Sequence, residues 1–261
     1  MQNTCNDTKV SIIIPCFNQG GFLAECLESI KNQTFTGELE VIIINDGSTE
    51  PETLEILNNL PVSIKVINQE NQGLSAARNT GIKASTGKWI LPLDADDKLH
   101  LEYLAKTLNL AESKNLDFVT TWMQQFETKN KVYKTHLSLY DELFNNFLPY
   151  CALFSRQILD TEKYDETFRD GFEDWELWLR ILSKFKGEVI PEPLFQYRVK
   201  AESMLTNSRK KYAKIVSKIR DKHSDLYTPD SLKTLKKTRQ KPFVWVYDIY
   251  YKIKKISSSR T

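Results

Sequence analysis

The sequence reads as an α/β protein: a mostly parallel central sheet flanked by helices, followed by a basic helical C-terminal extension. Three observations carry that reading. Short apolar runs recur at Val10-Ser11-Ile12-Ile13-Ile14-Pro15, Glu40-Val41-Ile42-Ile43-Ile44-Asn45 and Trp89-Ile90-Leu91-Pro92-Leu93, each the length of a strand buried on both faces. Segments with helical spacing separate them, and such alternation folds as parallel strands covered on both sides. Each run also ends in a polar cluster, and in open α/β sheets the carboxyl ends of the strands form the ligand crevice.

In chain order, Val10 to Pro15 is the first strand, with Pro15 ending it. After the loop Cys16-Phe17-Asn18-Gln19-Gly20-Gly21, residues Phe22, Leu23, Cys26, Leu27 and Ile30 keep helical spacing to about Lys31. Glu40 to Asn45 is the second strand, closing on Asp46-Gly47-Ser48-Thr49, where Ser48 or Thr49 is expected to cap a helix running to about Leu60. Ile64 to Ile67 is a short strand, and Asn71-Gln72-Gly73 turns into a small-residue helix from Leu74 to Ile82. Gly87 leads into the Trp89 strand, a helix follows from Leu101 to Ser113, and a strand from Phe118 to Thr121. Beyond residue 122 the periodicity weakens, with a helix at Leu139 to Phe147 and a short strand at Cys151 to Phe154. Trp175, Trp178, Leu179 and Leu182 then form an apolar stripe on a helix headed by Glu173 and Asp174.

The 261 residues suffice for a catalytic-sized domain over 1–205 and an extension over 206–261. The net charge of +2 conceals an asymmetry: residues 200–261 hold 17 basic and 5 acidic residues, against 19 and 29 in the remainder. A basic tail on an acidic body favours anionic surfaces. Cys5, Cys16, Cys26 and Cys151 lack zinc-ligand spacing. Residues 1–9 are polar, which argues against a signal peptide, and no run approaches the ~20 apolar residues of a membrane span. The expectation is a reduced cytoplasmic protein.

Asp94-Ala95-Asp96-Asp97 directly follows the third buried strand. Carboxylates this close repel each other unless a cation lies between them, and a hard divalent ion shared with a phosphate does that; an acidic turn capping the next helix would read the same way. Glu173 and Asp174 either complement the helix dipole or aim a general base into the crevice. No Gly-rich dinucleotide fingerprint follows the first strand and no phosphate-loop Gly-Lys-Ser/Thr occurs, which disfavours a dehydrogenase or an ATPase.

Together these clusters make residues 9–205 resemble a family 2 glycosyltransferase with the A-type nucleotide-sugar fold. The resemblance rests on Val10 to Asn18, Asn45-Asp46-Gly47-Ser48, Asn71 to Asn79, Leu93 to Asp97 and Gly171 to Trp178. It implies inverting transfer of a sugar from a nucleotide-diphosphate donor, a UDP-sugar foremost, to a saccharide or lipid-linked acceptor in bacterial surface polysaccharide synthesis. By position it implies that Pro15, Phe17 and Asn18 line the base and ribose, that Asp46 contacts the base and Arg78 closes that pocket. Asp94, with Ala95 beside it, would reach the ribose, and Asp96 would bind a Mn²⁺ or Mg²⁺ ion bridging the diphosphate. Asp174 would be the base, with Glu173 as the second candidate. The sequence departs from the family where a histidine often follows Tyr-Arg by two residues: here Tyr197-Arg198-Val199-Lys200 places a lysine. A charged lysine cannot ligate a metal, but it can meet the diphosphate directly.

Competing readings are a sugar-nucleotide-forming nucleotidyltransferase and a non-catalytic subunit that kept the fold. The first wants a basic loop after the first strand, and Cys16 to Gly21 contains no Lys or Arg; intact Asp94, Asp96 and Asp174 argue against the second. In the extension, Tyr212, Ile215, Val216 and Ile219 make a helical stripe, and Pro242 to Tyr251 an aromatic stretch with lysines behind it. Two expectations are open there: peripheral contact with the inner face of a membrane, or packing on the catalytic domain or on a second subunit of a homodimer. No nucleic-acid module accompanies the basic residues.

Overall fold

The computed structural model describes residues 8–200 and 211–239. The elements are β1 (Lys9–Cys16), α1 (Gly20–Lys31), β2 (Glu38–Asp46), α2 (Pro51–Asn58), β3 (Ile64–Gln69), α3 (Leu74–Ala84), β4 (Trp89–Pro92), β5 (Lys98–Leu99) and α4 (Tyr103–Lys114). They continue with β6 (Phe118–Glu127), β7 (Lys131–Tyr133), α5 (Leu139–Glu142), β8 (Ala152–Ser155), α6 (Arg156–Thr161), α7 (Glu173–Lys184) and β9 (Gly187–Val199). Two further helices, called α8 (Tyr212–Lys222) and α9 (Pro229–Thr238) here, flank a 3-10 turn.

The strands form one sheet in the order β3-β2-β1-β4-β8-β6-β9-β5, with β7 on β6. The β3-β2-β1-β4 half is parallel, as the alternating sequence predicts. Beyond it the sheet is mixed: β8 joins β4 and β6 antiparallel, β6 and β9 run parallel, and β5 and β7 add antiparallel pairs. Side-chain alternation divides the core. Ile12 and Ile14 of β1 and Leu91 of β4 face α1, α2 and α4, while Ile13 and Ile90 face α3, α6 and α7. Gly81 lets α3 lie directly on β1, because a Cβ there would overlap the Ile13 side chain.

Helix α7 is buried on two sides, not along the single stripe that its spacing indicates. Leu177, Trp178 and Ile181 face the sheet, where Trp178 lies 5.3 Å from the rings of both Phe118 and Phe154. Trp175 and Leu179 face outward and are covered by Ile215 and Ile219 of α8. Truncating a tryptophan as enclosed as Trp178 costs about 3–5 kcal/mol. Glu176, fully buried on the same helix, is held by His223 at 3.0 Å, Lys222 at 2.8 Å and Arg180 at 2.8 Å. Burial opposes its charge, but those hydrogen bonds outweigh burial and keep its carboxyl well below the usual range.

Several sequence expectations are revised. Helix α2 is capped by neither Ser48 nor Thr49: Glu50 is the N-cap and Pro51 the first helical residue. The helix foreseen over Leu139 to Phe147 is only Leu139–Glu142. Strand β6 runs on to Glu127, and β9 has no counterpart in the sequence reading because Pro191 and Pro193 interrupt its pattern. The described part of the extension, residues 211–239, packs on α5 and α7, with Arg239 2.6 Å from Asp141. The boundary drawn at residue 205 and the aromatic stretch from Pro242 to Tyr251 lie outside the described residues.

Candidate active site

The parallel register brings the carboxyl ends of β1, β2 and β4 side by side, and the three polar clusters with them. Pro15, Phe17, Asp46, Asp94, Asp96 and Lys200 line one cavity of about 400 Å³ there. Phe17 stands at its edge, 46% exposed. Asp46 is buried and fastens the loop before α3, accepting from Gln69 Nε2 at 2.7 Å, Gln72 N at 2.9 Å and Gly73 N at 2.8 Å. Gly47, at φ +74, allows this closure, since a Cβ would press on the Asn71 backbone.

Three of the residues expected at the ligand are placed behind it. Asn18, in the left-handed region at φ 52, turns its amide oxygen to accept from Thr49 N at 2.8 Å and Glu50 N at 3.1 Å, so it braces the start of α2 and does not line the cavity. Ala95 is fully buried in the core beneath the acidic loop. Arg78 is 1% exposed and bridges two walls of the site, with Nη2 2.7 Å from Asp94 Oδ1 and Nη1 2.6 Å from Glu173 Oε1. The rings of Tyr150 and Tyr164 lie 4.8 Å and 5.1 Å from its guanidinium. Burial opposes its charge, but Asp94, Tyr164 and Glu173 more than compensate.

The acidic loop is held by residues that the sequence reading did not select. The Tyr150 hydroxyl accepts from Asp94 N at 2.9 Å and donates to Asp97 Oδ2 at 2.5 Å. Asp97 also accepts from Arg198 N, while Arg198 Nε donates to the Asp96 carbonyl, both at 2.7 Å. Arg198 also pairs with Glu127 and Glu25. Tyr197, Arg198 and Arg169 line the cavity too. Tyr197 and Arg198 stand just before Lys200 and were within reach of the motif; nothing in the local sequence marks Tyr150 or Arg169.

Burial pushes the Asp94 carboxyl up to about 6, with Arg78 pulling it down and Asp96 adding to the rise. Its side chain still keeps 22% of its surface toward the cavity, so contact with solvent moderates that penalty. Burial likewise raises Glu173 and Asp174. The two neighbours differ in access. Glu173 is committed to Arg78 and lines neither cavity. Asp174 faces a second cavity of about 340 Å³, where Asn146 donates to its Oδ2 at 3.1 Å and its Oδ1 accepts from Trp175 N at 2.8 Å. Tyr197 lines both cavities. The turn that delivers Asp174 is strained: Gly171 has φ +96 and Phe172 φ +62, a conformation that costs a bulky side chain on the order of 1–3 kcal/mol.

Lys200 Nζ is 2.6 Å from Asp96 Oδ2. Among the described residues no three Asp, Glu, His or Cys side chains gather as a metal cluster. Hard ions of the magnesium type are nevertheless held by one or two carboxylates together with substrate phosphates. With Asp94 committed to Arg78, the residues present fit such an ion through Asp96 alone, with Lys200 as a rival cation.

A model of glycosyl transferase family 2 matches residues 11–172. The chain belongs to that family. It is 32% identical over 203 residues to an uncharacterised glycosyltransferase of Rickettsia conorii, which covers 74% of this chain and 33% of the relative. It is 27% identical over 222 residues to the putative glycosyltransferase EpsH of Bacillus subtilis, covering 77% of this chain and 64% of EpsH. The chain thus spans about a third of the first relative's length and just under two thirds of the second's. The fold resembles that of Staphylococcus aureus TarS residues 1–349, crystallised with UDP-GlcNAc, at a TM-score of 0.65 and 20% identity over 76% of this chain and 60% of TarS. That likeness bears on the fold, which is of the glycosyltransferase A type. Members of this family commonly use divalent metals.

Proposed function

We propose that this glycosyltransferase moves a sugar, with inversion, from a UDP-sugar to a hydroxyl of a saccharide or lipid-linked acceptor in bacterial surface polysaccharide synthesis. The observation that carries the reading is the position of Asp174: it faces the second cavity, and Tyr197 lines both that cavity and the one lined by Asp94 and Asp96. Inverting transfer is one in-line displacement at the anomeric carbon. The acceptor oxygen forms the new bond as its proton passes to a base on the face opposite the leaving diphosphate. Asp174 has the access for that role, and Glu173 instead keeps Arg78 charged and Asp94 in position. The TarS neighbours crystallised with UDP and with UDP-GlcNAc favour a uridine donor.

Asp96 is the residue that would hold a divalent ion, with Lys200 displaced toward the diphosphate. When bound, such an ion supplies Lewis-acid stabilisation of the leaving phosphate charge. In its absence Lys200 remains beside Asp96 as a point charge. The basic extension suits a peripheral position on the cytoplasmic face of a membrane, near lipid-linked acceptors.

The test is a thermal-shift panel of nucleoside diphosphates with Mg²⁺, Mn²⁺ or chelator. UDP at a hundred times its Kd should add about 2.7 kcal/mol to stability. A protein that no nucleoside diphosphate stabilises, with or without metal, is not the enzyme proposed.

A further inference from the structure

We infer that the cavity beside Asp174 takes an uncharged sugar as acceptor, laid against aromatic rings, one of which, Tyr212, comes from the C-terminal extension. The inference rests on Asp174 as the base and goes on to name the acceptor class.

The two cavities differ in charge. Arg169, Arg198 and Lys200 line the one assigned to the donor, which suits a diphosphate. No Lys, Arg or His lines the other among the described residues, and its one carboxylate is Asp174. A phosphate bound there would face that carboxylate with no cation among the described lining residues to offset it, and like charges brought together away from bulk water repel strongly. A neutral sugar meets no such penalty. The cavity's volume of about 340 Å³ lies within the ~300–1,000 Å³ of small-molecule sites.

The walls have the chemistry of a sugar site. Tyr133 and Tyr212 are 47% and 38% exposed, large rings kept at the surface without being covered by the core. The Phe172 ring packs edge-on beside both Tyr212 and Trp175, at ring distances of 5.7 Å and 5.8 Å. Tyr212 is stacked near-parallel to Trp175, 6.3 Å away at 17°. Trp175 is itself anchored by donating Nε1–H to the Glu142 carbonyl. The Tyr212 ring is therefore pre-oriented by the core of α7, which limits the entropy lost when a sugar face settles on it. Gln125 and Asn146 supply amides for hydroxyls. The segment that places this ring follows residue 210, beyond the reach of the family match at 11–172, so the extension can set acceptor choice independently of donor choice.

The experiment uses the full chain saturated with UDP and Mg²⁺. Saturation-transfer NMR compares methyl glycosides of glucose, galactose and N-acetylglucosamine with glycerol 3-phosphate and ribitol 5-phosphate. UDP release from the UDP-sugar that stabilises the protein most is followed with each compound. Neutral glycosides should receive saturation and accelerate UDP release, and the polyol phosphates should do neither. Tyr212→Ala should raise the glycoside KM about 3- to 10-fold, the loss expected for one aromatic contact, with donor KM unchanged and Tyr212→Phe close to wild type. Tyr133→Ala, at an exposed position on β7, repeats the measurement where folding is not at risk. A stronger response to the phosphates, saturation of none of the glycosides, or an unchanged glycoside KM in both alanine variants overturns the inference. Failure of UDP to bind at all overturns instead the donor reading on which it stands.

Discussion

Arg78→Met removes a buried charge at nearly constant volume, and its consequences follow from two distances. The guanidinium is 1% exposed and lies 2.6 Å from Glu173 and 2.7 Å from Asp94. Removing one partner from a buried ion group costs about 3–5 kcal/mol, because the charges left behind lose their compensation. Against a total stability of about 5–15 kcal/mol, that lowers the melting temperature by roughly 6–20 °C for a chain of this size. The loss should depend on pH. Burial above all raises the folded-state carboxyls, with Asp94 pushed up to about 6 even beside Arg78; without Arg78 they rise further. A carboxyl whose folded pKa is raised binds its proton more tightly folded than unfolded. Its contribution is therefore favourable below the unfolded value, near 4, and is lost as pH rises through the folded value. The deficit of Arg78→Met should be larger at pH 8 than at pH 5. Glu173→Gln added to Arg78→Met removes one stranded charge and should recover part of the stability at pH 8 without recovering activity. Melts of the wild type, both single variants and the double variant at the two pH values complete the cycle. A deficit below about 1 kcal/mol, an equal deficit at both pH values, or a double variant no more stable than Arg78→Met would refute the bridge.

Other expectations concern the chemistry and the tail. Asp174→Asn should leave UDP binding intact and reduce turnover by ~10²–10⁴, as for loss of a general base, in single-turnover assays; full activity there beside a dead Glu173→Gln would move the base by one residue. Asp96→Ala should strongly weaken Mg²⁺-supported UDP binding measured by calorimetry, and Lys200→Ala should increase the dependence on Mg²⁺; affinity unchanged by Asp96→Ala or by chelator would remove Asp96 as the holder of the ion. Flotation with anionic liposomes should fall when residues 240–261 are deleted, whereas a tail that only dissociates a dimer on deletion favours packing over membrane contact.

The sequence by itself determined the parallel half of the sheet and the edge at which the candidate site residues gather. Val10 to Pro15, Glu40 to Asn45 and Trp89 to Leu93 are built on runs of three or more apolar residues, Ile12-Ile13-Ile14, Val41-Ile42-Ile43-Ile44 and Trp89 to Leu93, so they are covered on both faces, and parallel strands then place their polar sequels at one edge. Asp46, Asp94, Asp96 and Asp174 were legible for that reason: each stands where a regular element meets a loop. What each residue does there was decided by contacts far apart in sequence. Asn18 and Ala95 belong to matching motifs, yet one braces the turn leading into α2 and the other fills the core. Glu173 and Asp174 are adjacent and chemically alike, but a helix turns successive side chains by about 100°. One therefore meets Arg78, 95 residues away, and the other faces the second cavity. The mixed half, with Pro191 and Pro193 inside β9, has no local period to read. The cover over Trp175 comes from α8, beyond the stretch left outside the described residues. Local pattern shows which side of an element must be buried; only the assembled chain selects the partner that buries it.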